Sequence, residues 1–317
     1  MPGALLTYRL PNVPIQDMKM RGFLSRSQRS KVVPYVLIVP AFAVVFVLAV
    51  FSVFWLIRMS LVQWTFGVEW QEAAWVGLDN FQWLLFSEHS TFRDSVGLTT
   101  VYVAGTLIPE LVIGFGLALL LNRQIIGRSV YTAILIIPIV VMPSMVGLVW
   151  RLYFSYDGLV NFFVETFFGV KPNWYGAELA LPAVMLVDIW EWTPFFVLIL
   201  LAGLQALPRE PYDAALVDGA SNWQLFRHIT LPLMAPLVLT ATILRFMDIL
   251  RIFAVIFVMF GGGPGDATTT LPIYIYKATL VARNVGRGSA VSVMLIIIIV
   301  TLTFLLVRLL ERAKFEM

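Results

Sequence analysis

One uncharged apolar run, residues 32–57, sets the terms for the whole chain. A helix needs about 20 such residues to cross a bilayer, and a water-soluble core helix is rarely so long and so free of charge. Six stretches meet the length requirement: about 35–57, 95–121, 130–150, 179–201, 233–260 and 289–307. Their apolar residues are continuous and do not alternate, which selects bundled helices over a barrel. Composition agrees. With 60% hydrophobic and 13% charged residues, a chain of 317 residues has too little polar surface for a water-soluble fold. The expected fold class is an all-α membrane protein with six transmembrane helices.

Other chemistry is excluded early. There is no cysteine, so no disulfide framework and no thiolate metal site is expected. The two histidines, His89 and His228, lie far apart in sequence and suggest no joint site. A compact apolar core before a small-residue cleavage site is missing from the opening arm, so no removable signal peptide is expected.

Lysine and arginine give the orientation. Thirteen fall in the N-terminal arm (Arg9, Lys19, Arg21, Arg26, Arg29, Lys31), in the loops after spans two and four (Arg123, Arg128, Arg209, Arg227) and in the tail (Arg308, Arg312, Lys314). Seven fall in the opposite loops. Both termini are therefore expected in the cytoplasm. The predicted boundaries are a basic arm at 1–34, a membrane domain at 35–309 containing a cytoplasmic loop at 204–232, and a tail at 310–317. The external loops hold many tryptophans and tyrosines, Trp64, Trp70, Trp75, Trp83, Tyr153, Tyr156, Trp174 and Tyr175 among them. Such residues suit an interfacial belt or a docking surface. The segment 271–287 is expected as a short amphipathic helix at the outer interface.

Ionisable residues inside spans are costly and normally face protein or water. Arg245, Asp248 and Arg251 recur at every third position of span five, so Asp248 reaches both arginines. Span four holds Asp188, Trp190, Glu191, Trp192 and Pro194, and span two holds Glu110. These charges are expected either to lock the bundle or to line a polar pathway. For the pathway the candidates are Asp188, Trp190, Glu191, Arg245, Asp248 and Arg251. Arginine forks and carboxylates pair with hydroxyl-rich solutes, and aromatics stack on their apolar faces.

The connection between spans four and five is longer than a turn requires. Pro208 and Pro211 with Glu210 suit a first helical turn. Gly219 suits a left-handed C-terminal cap. Ser221-Asn222-Trp223-Gln224 matches a capping box that opens a second helix. Leu231-Pro232 then leads into span five. Two short helices with a bend between them are expected, offered to a partner in the cytosol.

Those residues resemble the signature of bacterial ABC importer permeases: E-A-A, three residues, G, nine residues, I, one residue, L-P. Here it stands as Asp213-Ala214-Ala215, Gly219 and Ile229-Thr230-Leu231-Pro232, with aspartate in place of the leading glutamate. Trp190-Glu191-Trp192-Thr193-Pro194-Phe195, Leu201-Ala202-Gly203-Leu204-Gln205, Arg251-Ile252-Phe253 and Gly261-Gly262-Gly263-Pro264-Gly265 are similar to the carbohydrate-uptake branch, the maltose- and trehalose-type permeases. The first 30 residues are not covered. The resemblance implies a type I importer subunit in a bacterial or archaeal cytoplasmic membrane. Its implied partners are a second permease, two cytosolic ATPase subunits and an external solute-binding protein. It implies a contact with the ATPase formed by Asp213, Ala214, Ala215, Gly219, Ala220 and Arg227, with Leu231 and Pro232 transmitting force. The implied cargo is a sugar, a di- or oligosaccharide. Glycerol phosphate or a polyol is the alternative, since Arg245 and Arg251 suit a phosphate. An ion-coupled secondary transporter and a membrane scaffold are further alternatives. The chain itself has no G-x-x-x-x-G-K-[ST] and no Gly-Lys pair, so it is expected to bind no cofactor and to catalyse nothing, with ATP and magnesium on the partner chains.

Overall fold

The computed structural model describes residues 26–123 and 125–315. Arg9, Lys19 and Arg21 of the basic arm lie outside the described residues. Residues 26–34, placed in the arm by sequence, are already helical. The tail beyond residue 309 likewise continues a helix, to Phe315.

The described residues divide into two units, with the boundary between Phe54 and Trp55. In order, the elements are α1 (Arg26–Ser60), β1 (Val62–Gln63), β2 (Ala74–Trp75), α2 (Asp79–Phe86), α3 (Phe92–Leu121), α4 (Arg128–Val140), α5 (Pro143–Tyr153) and α6 (Leu159–Phe168). There follow α7 (Ala177–Ala206), α8 (Glu210–Val217), α9 (Asn222–Leu225), α10 (Leu231–Ile249), α11 (Ala254–Met259), α12 (Leu271–Tyr276) and α13 (Val285–Phe315). The all-α expectation needs one small amendment: β1 and β2 pair antiparallel, Val62 opposite Trp75.

Among the described residues, five helices are long and apolar enough to cross a membrane, and a sixth span is formed if α4 and α5 are taken together. That pair corrects the expected straight span at 130–150, because α4 and α5 meet at 96°. Pro143 causes the break. It starts α5, where its missing N–H costs nothing, and it holds Met142 in an extended conformation. The fifth span is also shorter than the apolar run suggests. α10 ends at Ile249, where the N–H of Arg251 turns back to the carbonyl of Asp248 at 3.0 Å, and α11 restarts at Ala254.

The second unit packs α3 tightly on α7. In lipid, helices associate through close packing and small residues, not by escaping water. Gly114 supplies the small residue: a Cβ there would lie 2.5 Å from Cβ of Phe196. Tyr102, Val184, Val187, Phe196 and Leu200 are fully buried.

The short helix expected at 271–287 ends at Val281, and one face of it is packed. Leu271, Ile273 and Tyr274 are buried, and the Leu271 N–H donates to Oγ1 of Thr99 on α3 at 2.9 Å. The segment is a packed helix, extended by a π-helical turn at Lys277–Val281.

Candidate functional site

Two constellations carry the chemistry, one in the connection between α7 and α10 and one within the spans.

The connection forms the two short helices expected. α8 closes with a Schellman cap: the N–H of Ala220 donates to the Ala215 carbonyl at 2.9 Å, and that of Gly219 to Leu216 at 3.1 Å. This geometry needs a left-handed residue, and Gly219 takes φ +82°. α9 opens on the expected capping box. The Ser221 N–H donates to Oε1 of Gln224 at 2.7 Å, and the Gln224 N–H donates to Oγ of Ser221 at 3.4 Å. Such a cap contributes about 1 kcal/mol.

Past α9 the chain does not bend at Leu231-Pro232. It runs as one helical path from Asn222 to Ile249 through a π-turn at Phe226–Thr230. Pro232 has no N–H for the carbonyl one turn back, and a proline ring crowds that carbonyl. The wider turn relieves both problems, and the Leu231 N–H reaches the Phe226 carbonyl five residues back. The Tyr212 hydroxyl on α8 meets Oγ1 of Thr230 at 2.9 Å, fixing α8 to this turn. Phe226 packs between Trp223 (ring centroids 5.6 Å apart) and Phe115 of α3 (5.8 Å). Thus α8, α9, α10 and α3 meet around residues 226–230.

Of the residues singled out here by sequence, Asp213, Ala214, Gly219, Arg227 and Leu231 are exposed, and Ala215, Ala220 and Pro232 are partly covered. Asp213 also lines a cavity of about 420 Å³ with Asn122, Arg209, Tyr212 and Thr230. Leu216, Val217 and Trp223 add exposed apolar side chains, at 55%, 88% and 64% exposure, that the spacing did not single out.

Within the spans, Arg245 is buried among carboxylates. Its Nε and Nη2 donate to Oε2 and Oε1 of Glu110, both at 2.8 Å. Nη2 also donates to Oδ2 of Asp188 at 2.8 Å, and Nη1 to Oδ2 of Asp248 at 2.9 Å. Four of the five N–H groups of the fork are therefore taken. The indole of Trp192 lies 4.5 Å from the guanidinium carbon, a cation–π contact. Arg251 donates from Nε to the Met247 carbonyl at 3.2 Å, lies 3.6 Å from Asp248 and stays exposed. Beside the cluster is a cavity of about 500 Å³ lined by Trp192, Phe195, Arg245, Asp248 and Arg251.

The structure thus brings together Asp188, Arg245, Asp248 and Arg251, with Glu110 as the carboxylate that completes the cluster. Glu191 is buried beside them in sequence, with Oε2 unpartnered among the described residues. Trp190 is elsewhere, edge-on to Trp150 at 5.4 Å, and does not line the cavity. Beyond Leu244, Met247 and Ile299, the cavity walls that the sequence named but did not assign to the pathway are Trp192 and Phe195. Their signal was the spacing of three residues on α7, one turn of helix.

The family described as "Binding-protein-dependent transport system inner membrane component" matches residues 98–315. The chain is similar to the trehalose/maltose transport system permease protein MalF of Thermococcus litoralis, 37% identical over 275 residues, covering 85% of this chain and 90% of that one. It is also similar to the sn-glycerol-3-phosphate transport system permease protein UgpA of Agrobacterium fabrum, 30% identical over 297 residues, covering 89% and 96%. Among solved structures, a bacterial ABC transporter involved in import of the acidic polysaccharide alginate aligns with TM-score 0.77 at 20% identity, over 90% of this chain and 98% of that one.

Proposed function

The chain belongs to the family of binding-protein-dependent transport system inner membrane components, and from that premise we propose that it forms half of an ATP-driven import path for a neutral sugar. It is a non-catalytic transmembrane subunit. ATP is hydrolysed on separate chains.

The choice of a neutral sugar over a phosphate rests on one observation, the use of the Arg245 fork. With four of its five N–H groups bound to Glu110, Asp188 and Asp248, it has no free face for a phosphate. With Arg251 counted, two guanidinium groups stand against the three carboxylates of Glu110, Asp188 and Asp248, so the cluster has no surplus of positive charge to attract an anion. What the cavity offers is Trp192 and Phe195 as apolar platforms, with Asp248 and Arg251 as hydrogen-bonding groups at their edge. Rings with one apolar face and many hydroxyls suit that combination.

In this account Glu110, Asp188 and Arg245 hold spans two, four and five together beside the path. Asp248 and Arg251 touch the solute. The coupling contact comprises Asp213, Ala214, Ala215, Gly219, Ala220 and Arg227, and Leu231 and Pro232 pass its motion on. The continuous helical path from Asn222 to Ile249 supports that transmission, because a push on α9 is a push on α10. The partners are a second permease of different sequence, two ATPase subunits that bind ATP and magnesium, and an external solute-binding protein. Both termini face the cytoplasm of a bacterial or archaeal cell, with the loop between α7 and α10 on the same side.

The test is uptake into proteoliposomes that hold the assembled transporter, its binding protein and internal ATP. Labelled maltose or trehalose is expected to enter, with competition by neutral disaccharides and none by glycerol phosphate. Competition by glycerol phosphate alone would place the chain with the phosphate importers.

A further inference from the structure

A second cavity, of about 510 Å³, lies at the end of the second unit opposite the α7–α10 connection. It sits between the C-terminal part of α2, the π-turn after α12 and the start of α13. Its walls include Trp83, Tyr274, Tyr276 and Val281, with Lys277 and Arg287 as the cationic groups.

The two cations differ in how far they are used. Lys277 donates to Oδ1 of Asp266 at 2.9 Å and to Oγ1 of Thr269 at 2.8 Å, so its charge is offset. Arg287 is not offset. Its guanidinium carbon stacks 3.6 Å from the centre of the Trp83 ring, and its side chain forms no hydrogen bond or ion pair among the described residues. Stacking occupies the face of the fork and leaves its N–H edge open. The site therefore carries one uncompensated positive charge. It also lies at the N-terminal, positive end of α13.

An anion fits that charge, and beside the polar Thr91, Thr269 and Asn284 the lining is the apolar wall of Trp83, Tyr276 and Val281, which a small hydrated anion leaves uncovered. The rim continues into Leu280 and Val281, exposed at 56% and 64% on the π-turn. A charged fork held on a tryptophan, above apolar side chains at the end of a membrane span, matches an amphiphile lying at the interface.

We propose that this cavity binds the phosphate headgroup of a membrane phospholipid, with Arg287 gripping the phosphate oxygens and Tyr276 and Val281 bordering the glycerol and upper acyl chain. The bound lipid would brace α2 against α13 at this end of the unit.

The test uses the assembled transporter, stripped of lipid in mild detergent and followed by native mass spectrometry. The probes are dioleoylphosphatidylglycerol, dioleoylglycerol and inorganic phosphate. The wild type is expected to hold one tightly bound phosphatidylglycerol, to ignore dioleoylglycerol, and to keep its lipid in excess inorganic phosphate. Arg287→Gln is expected to weaken this binding about tenfold, the loss of one charge-assisted pair. Ala278→Trp, which fills the cavity while leaving Arg287 in place, is expected to do the same. It carries the test if the Arg287 variant fails to assemble. Equal lipid retention by both variants, or equal binding of dioleoylglycerol, would overturn the proposal. Displacement by inorganic phosphate at similar concentration would also overturn it, by showing a simple anion site.

Discussion

Arg245 and Glu110, 135 residues apart in sequence, meet inside the protein in a two-pronged ion pair with both bonds at 2.8 Å. Both side chains are essentially unexposed. Asp188 joins from α7 on the same guanidinium, so a single fork links α3, α7 and α10. Removing one member leaves a charge without its partner in a medium that does not solvate it.

Arg245→Met is therefore expected to destabilise by about 3–5 kcal/mol, the usual cost of breaking a buried pair from one side. Glu110→Gln is expected to cost less, because the amide oxygen still accepts one bond. Thermal unfolding of the assembled transporter in detergent measures both. A melting temperature unchanged by Arg245→Met would remove the bracing role.

Tyr212 and Thr230 provide the clasp between α8 and the π-turn. Tyr212→Phe and Thr230→Val should each cost about 1 kcal/mol, and the double variant little more than either. The same pattern should appear in uptake rates. Additive effects would show that the hydroxyls act independently.

Gly114 sets the distance between α3 and α7. Valine there would meet Phe196, whose Cβ lies 2.5 Å from where the first added carbon would sit. Overpacking of this kind costs about 1–3 kcal/mol. Gly114→Val should lower the melting temperature, and Gly114→Ala should lower it less, because both meet the Phe196 Cβ but valine adds two further methyl groups. An unchanged melting temperature in both variants would mean that the contact is not the limiting one.

The Gly-rich turn after α11 gives a dependence on pH. The hydrogen bond from Lys277 holds the Asp266 carboxyl below its usual range. The folded turn thus binds a proton less readily than the unfolded chain. The contribution is complete above the ordinary aspartate value of about 4 and is lost as pH falls through the lower folded value. Relative to the intrinsic exchange rate at each pH, protection across residues 261–270 should hold near neutrality and fall only on acidification. Asp266→Asn should exchange faster than wild type near neutrality and lose the acid step.

The spans were legible because membrane crossing needs long apolar stretches. The bends were not, because residues 141–142 sit inside a stretch that stays apolar, and at 250–253 the hydrophobic run continues on both sides of Arg251. Pro143 was the available sign of the first bend, while α10 ends with no proline at all. The α8 and α9 caps were legible for the opposite reason: a Schellman turn and a capping box are local and fix residue types at fixed spacing. Glu110 could not be assigned to Arg245, because no local rule links positions so far apart. The packing of Leu271–Tyr276 on α3 was not legible, because its apolar residues fit a buried face as well as a lipid-facing one.

The coupling role of the α8–α9 bend is tested most directly by Gly219→Val in reconstituted vesicles. Residue 219 has no neighbour within 4 Å of an added Cβ, so the substitution acts on its φ of +82° and not on packing. A β-branched residue there costs about 1–3 kcal/mol of local strain, enough to unseat the bend without preventing insertion. The measurement is ATP-dependent sugar uptake per inserted transporter. Loss of uptake with normal membrane insertion is the expected result, with Gly219→Asn milder because asparagine tolerates the left-handed region. Uptake at the wild-type rate in Gly219→Val would contradict the coupling role.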